Sequence, residues 1–232
     1  MNIAIIPARG GSKRIPKKNI KKFNGKPIIA WSIKCAKEAK IFNKIIVSTD
    51  DKKIAKIAKN FGAEVPFIRS SRFSKNSVGI IEVVSDAIKW LLKSNVKVKN
   101  VCCIFPTAPL MKPQDIRLAY KKLIKNNFQY VFSTTTFPSS IYKSLSFSKK
   151  NTNLKICFPQ KFKKKTNENS LFFYDAGQFY WGKKDTWIKK KKIFSSLSAT
   201  VEIPRWRAQD INNSKDWIVA QQLFKGLKNN AK

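Results

Sequence analysis

The stretch Ile3 to Ile20, IAIIPARGGSKRIPKKNI, constrains this chain more than any other, because an apolar run empties directly into a glycine-rich loop crowded with cations. Ile3, Ala4, Ile5 and Ile6 read as a short buried strand, and Pro7 ends it. Arg9, Gly10, Gly11, Ser12, Lys13, Arg14 and Lys18 follow. Gly10 and Gly11 can take positive φ and bring backbone N–H groups close to an anion, while Arg and Lys side chains neutralise its charge. A phosphate site is the natural reading, although a Gly-Gly flanked by cations is also a common surface turn. The loop lacks the closing G-K-[ST] of a P-loop and the G-x-G-x-x-G spacing of a dinucleotide fold.

Downstream, apolar strands alternate with helical periodicity. Pro27 opens a helix carrying Ile28, Ile29, Trp31, Ile33 and Cys35. Residues 44–50, KIIVSTD, read as a strand, and Ile54, Ile57, Ala58 and Phe61 keep helical spacing until Gly62 supplies a C-cap. A helix over 80–91, a strand over 101–105, a helix opened by Pro113 and a strand over 130–135 continue the series. This βαβ alternation predicts an α/β chain with a mainly parallel, three-layer αβα sheet and its ligand at the carboxyl ends of the strands. The loop, Asp50, the turn at Pro106 to Pro109 and the end of the 130–135 strand would share that edge. Asp50 reads equally as a cap or a ligand, and Asp51 as a cap.

From Phe137 to Asn169 the periodicity breaks, and a structureless stretch of that length inside a compact domain would be unusual, so an accessory lobe over 137–170 is expected within one domain spanning 1–232. Beyond it, YDAGQFYWG at 174–182 is an aromatic strand holding two poor strand formers, Asp175 and Gly177. They imply a bulge or a close ligand approach.

The chain contains no histidine, which excludes His-dependent triads, imidazole bases and imidazole metal sites. Chemistry here must rest on carboxylates, cations, backbone dipoles or a metal held by oxygen. Cys35, Cys102, Cys103 and Cys157 show no CxxC spacing and read as small core residues in a reducing compartment. Met1 to Arg9 carries no cationic leader before a long apolar stretch, and no apolar run approaches the ~18 residues of a membrane span, so a cytoplasmic location is expected. The net charge of +35 invites a nucleic-acid reading, yet only 7 of the 48 basic residues are Arg, and Lys is spread along the whole chain. A phosphate-reading surface would concentrate Arg on one face among exposed aromatics, so no specific nucleic-acid partner is expected. The Lys189 to Lys192 run reads as a solvated helix face.

The order of residues says more than their composition. A-R-G-G-S-K-R-I-P-x-K-N resembles the first motif of the cytidylyltransferases that activate nonulosonic, nine-carbon acid sugars. DAGQFYWG at 175–182 is similar to the pseudaminic acid group of that family. Matches continue in order with GKP-IAWSI at 25–33, VSTDD at 47–51, GAEVPF at 62–67, TAP at 107–109, and QDI with a following DW at 209–217.

The resemblance implies a nucleotidyltransferase fold with a dimerisation lobe, a homodimer, and transfer of CMP from CTP to the sugar's anomeric hydroxyl with Mg²⁺ as cofactor. It implies that Arg9, Lys13 and Lys18 hold the triphosphate beside the amides of Gly10, Gly11 and Ser12, and that Asn19 and Arg69 contact cytidine. Thr107, Asp175, Gln178, Phe179 and Trp181 would face the sugar, the two aromatics, with Phe137, forming a wall that suits the methyl-terminated pseudaminic acid. Asp210 and Asn212 would lie at the metal, and Arg9, Lys18 and Asp210 would carry catalysis; the alternative for Asp210 is to cap the helix that starts near Ser214. Two positions depart from the family pattern. Asn76 stands where an Asp is usual, and Asn212 where D-x-D would place a second carboxylate. Related enzymes for N-acetylneuraminic acid, legionaminic acid or Kdo remain open alternatives.

Overall fold

The uninterrupted apolar runs form the inner strands of one sheet. The computed structural model describes residues 1–148, 151–162 and 172–229. In chain order, β1 (Asn2–Pro7) leads through β2 (Lys22–Phe23) and β3 (Lys26–Pro27) into α1 (Ile28–Ala39), β4 (Lys44–Ser48) and α2 (Lys52–Asn60). Then come α3 (Ile80–Lys93), β5 (Asn100–Ile104), α4 (Pro113–Lys125) and β6 (Tyr130–Thr136). A hairpin of β7 (Leu145–Ser148) and β8 (Asn151–Ile156) and the short α5 (Pro159–Phe162) follow. The chain returns as β9 (Phe173–Lys183), α6 (Lys184–Ile188), β10 (Ser198–Glu202) and α7 (Ser214–Asn229).

The sheet runs β10-β6-β9-β5-β1-β4. β1 pairs parallel with β4 and β5, and β6 with β10, whereas β9 lies antiparallel between β5 and β6. The mainly parallel α/β expectation holds. All the parallel strands end at one edge, and β9 begins there. Sequence position thus brings residues 8–21, 49–51, 105–112, 173–178 and 203–213 together.

Helices cover both faces. Ile6, Ile33, Ile54, Ile116 and Trp181 join the α1, α2 and α4 side, and Ile5, Val84, Ile88, Tyr180 and Trp187 join the α3 and α6 side. A third cluster packs α7 through Trp217 and Phe224 onto Phe23 and Ile28 of the β2–β3 hairpin and the start of α1. Each such large apolar side chain stabilises the fold by roughly 1.5–3 kcal/mol when fully buried.

The expected excursion over 137–170 contains the β7–β8 hairpin, and its 163–170 portion lies outside the described residues. Leu145 pairs with Ile156 and Phe147 with Leu154, so strand alternation sets these four on one hairpin face, and all are exposed. Two expectations need correction. Cys157 is exposed, unlike the buried Cys35, Cys102 and Cys103, because it follows the β7–β8 hairpin, a two-stranded sheet separate from the central one. Lys189 to Lys192 are solvated but lie in the turn after α6, which ends at Ile188. Among the described residues, no helix is long and apolar enough to cross a membrane.

Candidate active site

The loop after β1 is held from three directions. Ala8 N–H donates to Ser48 C=O at 2.9 Å, extending the β1–β4 ladder, and Gly10 N–H donates to Asp50 Oδ1 at 2.8 Å. Asn19 Nδ2 donates to Arg9 C=O at 2.9 Å and ties the end of the loop to its beginning. Neither Gly10 nor Gly11 takes positive φ, contrary to expectation; the left-handed residue here is Lys17, at φ 52°. Gly10 is required by space instead. A Cβ there would stand 2.8 Å from Asp51 Oδ2 and 3.0 Å from its Cβ. Gly11 has nothing within 4 Å of such a Cβ, so its backbone lies open.

The two aspartates after β4 divide their work. Asp51 caps α2, accepting from Lys53 N–H at 2.6 Å and Ile54 N–H at 3.1 Å. Asp50 instead joins the loop, through Gly10, to Arg69, whose Nη2 lies 3.8 Å from Asp50 Oδ1. Arg69 is only 5% exposed, and its Nε and Nη2 have no hydrogen-bond acceptor. Burial lowers the guanidinium pKa, opposed by Asp50.

Two clefts open on this edge. One, of about 260 Å³, is lined by Arg9, Ser12, Lys13, Arg14, Lys18, Asn76 and Asn212, with Ile15. It presents four cations and no carboxylate, which makes it a site for a multiply charged anion. The other, of about 210 Å³, runs from Pro7 and Arg9 past Arg69 and Asn76 to Phe73, Val78, Ile80 and Val83, suiting a flat, partly apolar group with polar edges. Arg9 and Asn76 line both, and Arg9 Nη1 donates to Asn76 Oδ1. The clefts are therefore two compartments of one groove. Lys18 Nζ donates to Ile211 C=O at 2.7 Å; burial lowers its pKa, opposed chiefly by Asp210.

The groove's far side is built by β9 and the turn before α7. The β6–β9 register shifts between Phe132 and Thr134, where Gly177 takes φ +61°. The bulge read from Asp175 and Gly177 is thus real. Asp175 Oδ1 accepts from Gly177 N–H at 3.0 Å, and Oδ2 accepts from Tyr180 O–H. Burial raises the Asp175 pKa; these two bonds oppose the shift and Asp210 adds to it. The Cγ of Asp210 lies 3.8 Å from where a Gly177 Cβ would be. Asn212 Nδ2 donates to Asp210 Oδ2 at 2.6 Å.

Asp210 is not the cap of α7. Asn213 Oδ1 accepts from Lys215 and Asp216 N–H, while Asp216 Oδ2 accepts from Asn212 and Asn213 N–H. This leaves Asp210 as an exposed carboxylate beside a neutral amide. Among the described residues no group of three or more Asp, Glu or Cys could hold a metal unaided. One carboxylate plus an amide oxygen fits Mg²⁺ where substrate phosphates and water complete the shell.

With the geometry in hand, comparison with known proteins decides the family: the model described as Cytidylyltransferase matches residues 3–204. The chain belongs to the cytidylyltransferase family. It is 36% identical over 224 residues to the pseudaminic acid cytidylyltransferase of Campylobacter jejuni subsp. jejuni serotype O:23/36 (strain 81-176), covering 97% of this chain and 96% of that one. It is 30% identical over 223 residues to the CMP-N,N'-diacetyllegionaminic acid synthase of Legionella pneumophila (strain Philadelphia 1), covering 96% and 95%. The solved structure of CMP:2-keto-3-deoxy-manno-octonic acid synthetase complexed with CTP superposes with a TM-score of 0.73 at 14% identity, over 97% of this chain and 99% of that one. That likeness shows the fold.

Several family-based expectations meet the geometry differently. Phe179 and Trp181 are fully buried. Trp181 stacks on Phe42 with centroids 5.1 Å apart and donates Nε1–H to Ile116 C=O at 3.1 Å, while Phe179 pairs with Ile104 inside the sheet. Both are core, because a central strand buries both its faces. An aromatic pair at this edge is the exposed Phe137 and the half-buried Tyr174, with centroids 5.0 Å apart. Gln178 is buried and directs Nε2 to Arg207 C=O at 2.6 Å, bracing the turn, while its Oε1 has no hydrogen-bond partner. Asn19 likewise braces the loop from a buried position. Thr107 lies nearly buried in the turn after β5. Sequence reasoning missed Arg207 and Asp115, a buried pair joined by Nη1 to Oδ2 and by Nη2 to Oδ1 at 3.1 Å. Lying ninety-two residues apart, they leave no local signal.

Proposed function

We propose that this chain transfers CMP from CTP to a nonulosonic acid, pseudaminic acid foremost, releasing pyrophosphate. The observation that carries the reading is the divided groove: a cleft of four cations without a carboxylate, joined at Arg9 and Asn76 to a cleft beneath the buried Arg69. The first suits a triphosphate. The second suits a pyrimidine, whose carbonyl oxygen and ring nitrogen would meet the unpartnered donors of Arg69.

In the transfer, the sugar's anomeric oxygen attacks the α-phosphorus while the bond from that phosphorus to the bridging α–β oxygen breaks. The hydroxyl proton leaves to solvent or a nearby carboxylate, and pyrophosphate departs. The protein's part is positioning and charge stabilisation. Arg9 stands between the two clefts, where base and phosphates would meet, and Lys13, Lys18 and the Gly11 amide add donors, whereas the Gly10 and Ser12 N–H groups are already taken by Asp50 Oδ1 and Gly10 C=O. Asp210, with Asn212 beside it, would hold Mg²⁺ against the phosphate oxygens. That ion supplies charge neutralisation as the leaving group develops.

Phe137 and Tyr174 offer the apolar wall for a sugar ending in a methyl group, and a wall that strands a hydroxyl loses binding. The apolar face of the β7–β8 hairpin, Leu145, Phe147, Leu154 and Ile156, is the surface for a second copy of the chain. CTP as donor fits a cytoplasmic enzyme.

Pyrophosphate release tests the reading. With CTP and Mg²⁺, turnover is expected to require a nonulosonic acid, with kcat/KM higher for pseudaminic acid than for N-acetylneuraminic, legionaminic or eight-carbon acids. Equal turnover with ATP, or with a hexose 1-phosphate as acceptor, overturns the activity. A preference for N-acetylneuraminic acid overturns the choice of sugar.

A further inference from the structure

We propose that Arg207 is a positioning residue for this transfer: it fixes the turn that carries Asp210 to the phosphate side of the groove. The inference rests on the reading of Asp210 as the carboxylate beside the phosphates. Arg207 is 6% exposed, although the neighbouring Arg205 and Trp206 stand in solvent. Its guanidinium meets the Asp115 carboxylate as a two-pronged fork. Asp115 is in turn fixed to the first turn of α4, where Oδ2 accepts from Lys112 N–H at 3.3 Å. The carbonyl of Arg207 accepts from Gln178 Nε2, which ties the turn to β9 beside the bulge.

The other side of Asp210 is anchored independently. Ile211 is buried with Ile15, Leu110 and Trp217, and its carbonyl accepts from Lys18 Nζ at 2.7 Å. Asp210 lies in no helix or strand, so its place over Gly177 follows from the anchors at 207 and 211. A buried ion pair is a poor source of net stability, since an apolar pair of similar volume often serves as well. What a bidentate fork adds is orientation, which a lysine cannot supply. The arrangement makes sense as a geometric latch joining the turn after β5 and α4 to the turn before α7, the two walls between which Asp210 must stand.

The test compares Arg207→Leu, Arg207→Lys and Asp115→Asn with the unaltered chain. Three quantities are measured: the unfolding temperature, the affinity for Mn²⁺ in the presence of a non-hydrolysable CTP analogue by water-proton relaxation, and the rate against Mg²⁺ concentration. Arg207→Leu is expected to weaken Mn²⁺ binding about tenfold and lower kcat about tenfold or more, with metal-free affinity for the analogue within about twofold, as for a misplacement near 1 Å. Arg207→Lys recovers part of both losses. Should Arg207→Leu fail to fold, Asp115→Asn carries the same expectation at smaller amplitude. Folded variants with a lower unfolding temperature but unchanged Mn²⁺ affinity and Mg²⁺ dependence overturn the proposal. If the unaltered chain turns over no sugar acid, the assigned activity falls, while the Mn²⁺ titration still decides the role of Arg207.

Discussion

The groove's two walls are made in opposite ways. The wall at residues 8–21 is one contiguous stretch, braced by Asn19 on Arg9 and by Asp50 on Gly10, and its cations arrive in sequence order. The facing wall is assembled from β9, the turn before α7 and the start of α4, joined by Gln178, Arg207 and Asp115. The contiguous wall sets charge, and the assembled wall sets where one carboxylate stands. Side chains in the first act on one anion together, and those in the second act through one another's hydrogen bonds.

The largest expected effect tests the contiguous wall. Arg9→Ala should lower kcat/KM by an amount corresponding to about 2–4 kcal/mol of transition-state stabilisation while leaving the unfolding temperature near that of the parent. Near-normal kcat with unchanged CTP affinity would remove Arg9 from the groove.

Next comes the assembled wall. Asp210→Ala should lose tenfold or more in rate even at saturating Mg²⁺, in keeping with the ~10²-fold cost of removing one preorganised electrostatic partner. Asn212→Asp should stay active and need less Mg²⁺ for half-maximal rate, because a second carboxylate replaces the amide that now donates to Asp210. A titration of rate against Mg²⁺ in both variants decides, and an unchanged curve for Asn212→Asp would detach this pair from the metal.

A smaller effect belongs to Gly177. At φ +61°, Gly177→Ala incurs about 1–2 kcal/mol of backbone strain. The added methyl would lie 3.8 Å from Asp210 Cγ, an ordinary contact, so the loss should appear in thermal unfolding rather than as exclusion of Asp210.

The smallest effect is a pH slope. Burial holds the Asp175 pKa above the ordinary carboxyl value of 3.8, so between that value and its folded pKa the native state binds more protons than the unfolded chain. Its contribution to stability therefore declines as pH rises through that window. Asp175→Asn should flatten this decline relative to the parent in paired melts from acid to neutral pH. Parallel curves would mean that Asp175 does not titrate differently on folding.

How much of this was legible follows from the same contrast. The cationic loop could be read because strand, glycines and cations are neighbours in sequence. The reason for its glycines is not local, since neither takes positive φ and the steric limit at Gly10 comes from Asp51, forty-one positions later. Asp175 and Gly177 announced a bulge by being poor strand formers. Phe179 and Trp181 could not announce their burial, because their strand is covered on both faces and alternation then carries no inside or outside. The Arg207–Asp115 pair was invisible for want of any local pattern, as was the placement of β9 between β5 and β6.

That placement has a further consequence. Because β9 returns antiparallel to β6, Thr136 faces Phe173 across the ladder, and the intervening excursion departs from and re-enters adjacent points of the sheet. The excursion is therefore a cassette: its length and sequence are free to drift without displacing any strand, since doubling such a loop costs only about 0.6 kcal/mol of closure entropy. A graft that joins 136 to 173 by a short turn should keep the sheet intact.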